Sequence, residues 1–92
     1  MALTFEWDEN KAEENVTKHG VSFEEARTVF NDPFSITIYD PDHSAYEDRC
    51  IDVGLSSEGR TLVVSYTERG ENIRIISSRG ATKRERRGYE ER

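Results

Sequence analysis

The sequence predicts a single α+β domain spanning residues 1–92, in the order β-α-α-β-β-β-β-α. Its sheet should be mainly antiparallel and twisted, with two N-terminal helices on one face and a short helix at the C-terminal end. Three observations predict this. Capped helical periodicity fills the stretch before Pro33, β-rich runs joined by short turns fill the stretch after Asp48, and 92 residues suffice for one modest core but not two.

Leu3 to Trp7 alternates apolar and polar residues, the period of a half-buried strand. Asp8 then offers a side-chain oxygen as helix N-cap. Glu9 suits the positive first turn, and Trp7 is placed to pack on Ala12 as a hydrophobic staple. The helix runs to about His19, with Gly20 as its left-handed stop. Ala12 and Val16 form a thin apolar stripe, with Asn15 and His19 beside it at helical spacing. A second helix starts at once, because Ser22 and Glu25 have capping-box spacing and Val21 can staple onto Ala26. Phe23, Ala26, Val29 and Phe30 are its buried face, and Asp32-Pro33 ends it.

Phe34 to Tyr39 is β-rich, with Phe34, Ile36 and Ile38 on one face, and the run Asp40 to Tyr46 reads as a loop. Arg49 to Leu55 puts Arg49, Ile51, Val53 and Leu55 on one face and Cys50 and Asp52 on the other. Ser56 to Gly59 turns the chain into Thr61 to Thr67, and Glu68 to Glu71 turns it again into Ile73 to Arg79. Three consecutive strands so linked form an antiparallel meander. Leu62-Val63-Val64 and Ile75-Ile76 are apolar in both directions, so both sheet faces should be covered. The helices cover one; the other meets the terminal segment, a second chain or a ligand. Thr82, with Glu85 three residues on, opens the last helix, whose apolar stripe barely extends beyond Tyr89.

Charge is divided unevenly. Residues 1–48 carry 3 Lys/Arg against 12 Asp/Glu, a net of −9, whereas residues 49–92 carry 10 against 7, a net of +3. The overall −6 argues against non-specific attraction to nucleic acid or anionic membrane, but screening over roughly 8 Å leaves room for a local cationic site. Cys50 is the sole cysteine, which excludes a disulfide framework and points to a reducing cytoplasm. No run approaches the ~20 apolar residues of a membrane span.

The sequence has no phosphate-cradling glycine loop, no metal-ligand spacing and no Ser-His-Asp arrangement, so no metal or cofactor is expected. What remains is arginine, two histidines, a few acids and Tyr89, an inventory suited to metal-free work on phosphate. His19 either caps its helix or holds a proton there near neutral pH; His43 lies in a loop, where functional groups collect. Arg49 is either a rim residue paired with Glu47 or Asp48, or the edge of a cleft. Arg74 and Arg79 flank the last strand and point to opposite faces if that strand is regular, so only a bulge or bend brings them into one site. Arg79, at the strand end before Gly80, is the better anion ligand. Lys83, Arg84, Arg86 and Arg87, interleaved with Glu85 and Glu90, read as a solvated helix face.

The segments WDENKAEEN, KHGVSFEEA, DPDHS with the following Glu47 and Arg49, and RIISSRGATKRERRGYE occur in an order and spacing that resembles the BrnT toxins of type II toxin-antitoxin systems. Cys50 departs from that pattern, which has an aromatic residue after the arginine. The resemblance implies a RelE-like ribonuclease fold and a cytoplasmic toxin that arrests growth by cleaving RNA. It also implies a BrnA-like antitoxin, which neutralises the toxin and carries a ribbon-helix-helix DNA-binding part. The net charge of −6 and the absence of a recognition-helix pattern argue that this chain alone binds no DNA. Carried over residue by residue, the candidates are Lys18, His19, His43, Glu47, Arg49 and Arg79. His19, His43, Glu47, Arg49 and Arg79 are taken as catalytic and Lys18 as an RNA phosphate ligand, to which Arg74 of the last strand is added. Arginine is no base near neutral pH, so Arg49 and Arg79 are assigned to the phosphate, and His19, His43 and Glu47 remain open as proton donor and acceptor.

Overall fold

The structure, a computed structural model, describes residues 3–39 and 48–91. Its elements are β1 (Thr4–Glu6), α1 (Glu9–His19), α2 (Phe23–Arg27) followed by a 3-10 turn at Thr28–Asn31, β2 (Ile36–Tyr39), β3 (Arg49–Leu55), β4 (Thr61–Arg69), β5 (Asn72–Gly80) and α3 (Lys83–Glu90). The five strands form one sheet ordered β1-β5-β4-β3-β2. The short β1 runs parallel to β5, and every other pairing is antiparallel. This is the α+β order expected from the sequence.

Local chemistry sets the helix ends. The Asp8 carboxylate accepts from the backbone N–H groups of Asn10 (2.8 Å) and Lys11 (3.2 Å), and Gly20 ends α1 at φ 70°. Ser22 Oγ accepts from the Glu25 N–H at 3.0 Å, but the reciprocal half of the expected box is replaced. The Glu25 carboxylate instead accepts from Ser56 Oγ (2.7 Å) and Arg60 Nε (2.9 Å), while Arg60 also donates to the Gly20 carbonyl (3.1 Å). The Arg60 guanidinium holds the Glu25 carboxyl below the usual carboxylate range. This clasp joins the start of α2 to the turn between β3 and β4.

α1 and α2 lie on one face of the sheet, where Val21, Phe23, Ala26 and Val29 pack against Leu62, Val64, Tyr66, Ile73 and Ile75. Phe30 bridges Phe5 and Tyr66, with ring centroids 5.1 and 4.9 Å away and edge-to-face geometry. Cys50 is buried in the same layer, opposite Tyr66, so the departure from the family pattern falls at a packing position. The α1 stripe differs from expectation by one residue: Val16 is 49% exposed, and Asn15 is buried in its place. Asn15 Nδ2 donates to the carbonyls of Val21 and Ser78, both at 2.8 Å, and Oδ1 accepts from the Ser78 N–H at 3.1 Å. A satisfied amide thus fixes α1 to β5 where a valine would leave three backbone groups without partners.

Arg74 and Arg79 face the same way, because β5 is not a regular strand. Val63, Val64 and Ser65 of β4 lie opposite Arg79, Ser78 and Ser77, but the next residue, Tyr66, lies opposite Ile75. Ile76 is therefore an extra residue, a β-bulge that shifts the side-chain alternation by one. Below it, Ile73 and Ile75 point into the helix-side core and Arg74 to the other face. Above it, Ser78 is on the helix side, and Ser77 and Arg79 join Arg74 on the open face.

Candidate functional site

Cross-strand register defines two rows on the face away from α1 and α2. In one, Arg49 of β3 lies opposite Thr67 of β4, Thr67 opposite Arg74 of β5, and Arg74 beside Glu6 of β1. Arg74 Nη1 is 3.9 Å from Glu6 Oε2, a loose pair between half-exposed side chains. In the other row, Arg79 lies opposite Val63, Val63 opposite Val53, and Val53 opposite Ile36. Four residues of β4 separate the rows, about 13 Å at strand rise. Ser65 and Ser77 lie opposite each other between them.

α3 covers the apolar end of this face. Its N-terminus is set by a complete capping box between Thr82 and Glu85, as the sequence predicts. Glu85 does more than cap: its carboxylate receives the Arg79 guanidinium in a two-pronged pair, Nη1 to Oε1 at 2.8 Å and Nη2 to Oε2 at 2.9 Å. One turn on, the Tyr89 hydroxyl donates to the Asp32 carboxylate. Between α3 and the sheet lies a cavity of about 310 Å³, walled by Ile36, Ile38, Ile51, Val53 and Val63 and closed by Arg79, Glu85 and Tyr89. Arg79 thus sits where an apolar cavity meets a cationic face.

The Arg79 guanidinium, with the Thr82 cap, pulls the Glu85 carboxyl down to about 2. A carboxyl whose folded value is depressed contributes stability that is present above the unfolded value of 4.5 and lost as pH falls through about 2. A carboxyl-carbon NMR titration should therefore show Glu85 ionised throughout pH 4–8. In Arg79→Ala its midpoint should rise toward the ordinary carboxylate range. A Glu85 midpoint near 4.5 in the wild-type protein would contradict the pairing.

The other sequence-derived candidates fall as follows. Lys18 and His19 are exposed in the last turn of α1 and, with Ile76 and Ser77, line a cleft of about 200 Å³ at the edge of β5. The bulged residue Ile76 thus lies beside the α1 terminus. Arg49, Arg74 and Arg79 share the open face. His43 and Glu47 lie outside the described residues. Sequence reasoning did not single out Thr67, Glu6 or the second role of Glu85. The available signal was the doubled pair Ile75-Ile76 and Ser77-Ser78, which breaks strict alternation inside a strand. Among the described residues, no three His, Cys, Asp or Glu side chains are grouped to hold a metal ion, and no helix is long and apolar enough to cross a membrane.

Comparison with known proteins bears on the family and the fold. The model of a family described as "Ribonuclease toxin, BrnT, of type II toxin-antitoxin system" matches residues 7–85. The crystal structure of the Brucella abortus ribonuclease toxin BrnT superposes with a TM-score of 0.66. That match covers 89% of this chain and 100% of that one, at 22% identity, a likeness that carries the fold. No curated protein matches the chain with significance.

Proposed function

Since the chain belongs to the BrnT family of ribonuclease toxins of type II toxin-antitoxin systems, we propose that it cleaves RNA on the open face of its sheet, without a metal ion. The observation that carries this reading is the bulge at Ile76, which gathers Arg49, Arg74 and Arg79 on one face. In the reaction a ribose 2′-hydroxyl attacks the adjacent phosphorus as the bond to the 5′-oxygen breaks, leaving a 2′,3′-cyclic phosphate. One protein group takes the 2′-hydroxyl proton and another protonates the departing 5′-oxygen. His19, His43 and Glu47 are the candidates for those roles. Positioned proton transfer contributes roughly 100- to 10,000-fold, so replacing the right residue is kinetically obvious.

The arginines supply charge. Arg79 is the central phosphate ligand, and its planar fork already holds a two-oxygen anion, Glu85, in the geometry a phosphate would take. Substrate therefore exchanges with Glu85, and α3 loosens as RNA binds. Arg49, Arg74 and Lys18 extend the cationic track. A BrnA-like antitoxin neutralises the toxin by covering this face, and DNA binding belongs to that partner's ribbon-helix-helix part.

A second reading, a module that only binds its antitoxin, is favoured by one observation: Arg79 is satisfied within the chain. Incubating the purified protein with single-stranded RNA in EDTA separates the two. Cleavage that persists in EDTA is expected. RNA left intact across several substrates, while the protein still binds its antitoxin, would replace the nuclease with the binding module.

A further inference from the structure

The row Arg49–Thr67–Arg74 contains a buried polar group that makes no hydrogen bond among the described residues. Thr67 is 2% exposed, and its hydroxyl is buried without a hydrogen-bond partner among the described residues. Nearly all buried polar groups are paired, so a buried free hydroxyl needs a cause, and valine would fill the same branched shape without one. Ser78 Oγ is also buried and unpartnered, but it lies on the helix side, in line with core residues. Thr67 lies on the open face, and the residues directly opposite it on both neighbouring strands are arginines. Two strand spacings separate the backbones of Arg49 and Arg74, about 10 Å, a gap that two long guanidinium side chains can close over one anion.

We infer that Arg49, Thr67 and Arg74 form a second phosphate subsite, distinct from the one at Arg79, in which the Thr67 hydroxyl donates to a backbone phosphate held between the two guanidinium groups. This rests on the reading of the open face as the RNA-binding face. The subsite lies about 13 Å along β4 from Arg79, farther than one phosphodiester spans. It therefore grips a phosphate flanking the scissile one and fixes the register of the strand. Glu6, beside Arg74, repels an anion placed at the β1 side and so confines the phosphate to the Thr67 side.

The test uses an RNA whose 2′-hydroxyls are methylated, so that it binds without being cleaved, and compares wild type, Thr67→Val and Thr67→Ser by fluorescence anisotropy. Loss of a hydrogen bond to a charged group should weaken Thr67→Val by about tenfold, while Thr67→Ser stays within about twofold of wild type. Thr67→Val should melt at or above the wild-type temperature, because it removes an unpartnered buried hydroxyl. Wild-type affinity in Thr67→Val overturns the subsite. So does equal weakening in both variants accompanied by a lower melting temperature, which marks a packing role. If the wild-type protein neither binds this RNA nor cleaves its unmethylated counterpart, the reading of the open face fails first; retained wild-type cleavage with an indifferent Thr67→Val removes the subsite alone.

Discussion

Arg79→Ala should reduce RNA cleavage by roughly 100- to 1,000-fold, the usual loss when one preorganised stabiliser of developing charge is removed from an active site. The effect on stability should be much smaller. Arg79 and Glu85 have side chains 43% and 32% exposed. A pair that open to solvent contributes no more than about 1 kcal/mol, and α3 buries none of its residues, so its loosening leaves the core intact. Urea denaturation and a cleavage time course on the same preparation separate the two effects. Arg79→Lys should recover only part of the activity, because a point charge replaces a planar fork. A folded Arg79→Ala protein that cleaves RNA at the wild-type rate would remove Arg79 from the site.

Asn15→Ala should cost about 2–4 kcal/mol of folding free energy, the largest stability loss expected from a single polar residue in this chain. Truncation leaves the Ser78 N–H and the carbonyls of Val21 and Ser78 without the amide that serves all three, at about 1–3 kcal/mol for each buried group left unsatisfied, less whatever relaxation recovers. Asn15→Asp should fail similarly, since a carboxylate cannot donate to two carbonyls and would bring an unpaired charge into a site 6% exposed. Activity should fall with stability, because Ser78 lies between Ser77 and Arg79 and the Asn15 clamp fixes that part of β5. A stability within about 0.5 kcal/mol of wild type, the range of ordinary surface substitutions, would show that the clamp is dispensable.

What the sequence made legible was local. Asp8, Gly20, Ser22 and Thr82 act at the helix ends where their spacing places them, because capping depends on residues within one turn. The meander followed from β-branched runs and short turns. The gathered arginines were not legible, since a bulge is fixed by pairing with β4 and by anchorage of Ser78 to α1, both tertiary. Only the doubled isoleucines and serines hinted at it. The exchange of Asn15 for Val16 in the core has a similar cause: hydrogen bonds to partners 6 and 63 residues away outweighed side-chain hydropathy. Glu85 was read through its nearest partner, Thr82, whereas its second partner is brought to it by the turn from β5 into α3. The α+β order expected from the sequence is the fold observed, and it is similar to that of the Brucella abortus BrnT structure.

Whether RNA meets the face the bulge creates is read directly by an amide NMR map of the protein titrated with the 2′-methylated RNA. Shifts should cluster at Arg49, Thr67, Arg74, Ser77 and Arg79, with a second group in α3 as Glu85 gives up its arginine. Shifts confined to α2 and the turn joining β3 to β4, with the arginine face silent, would place RNA away from the arginines.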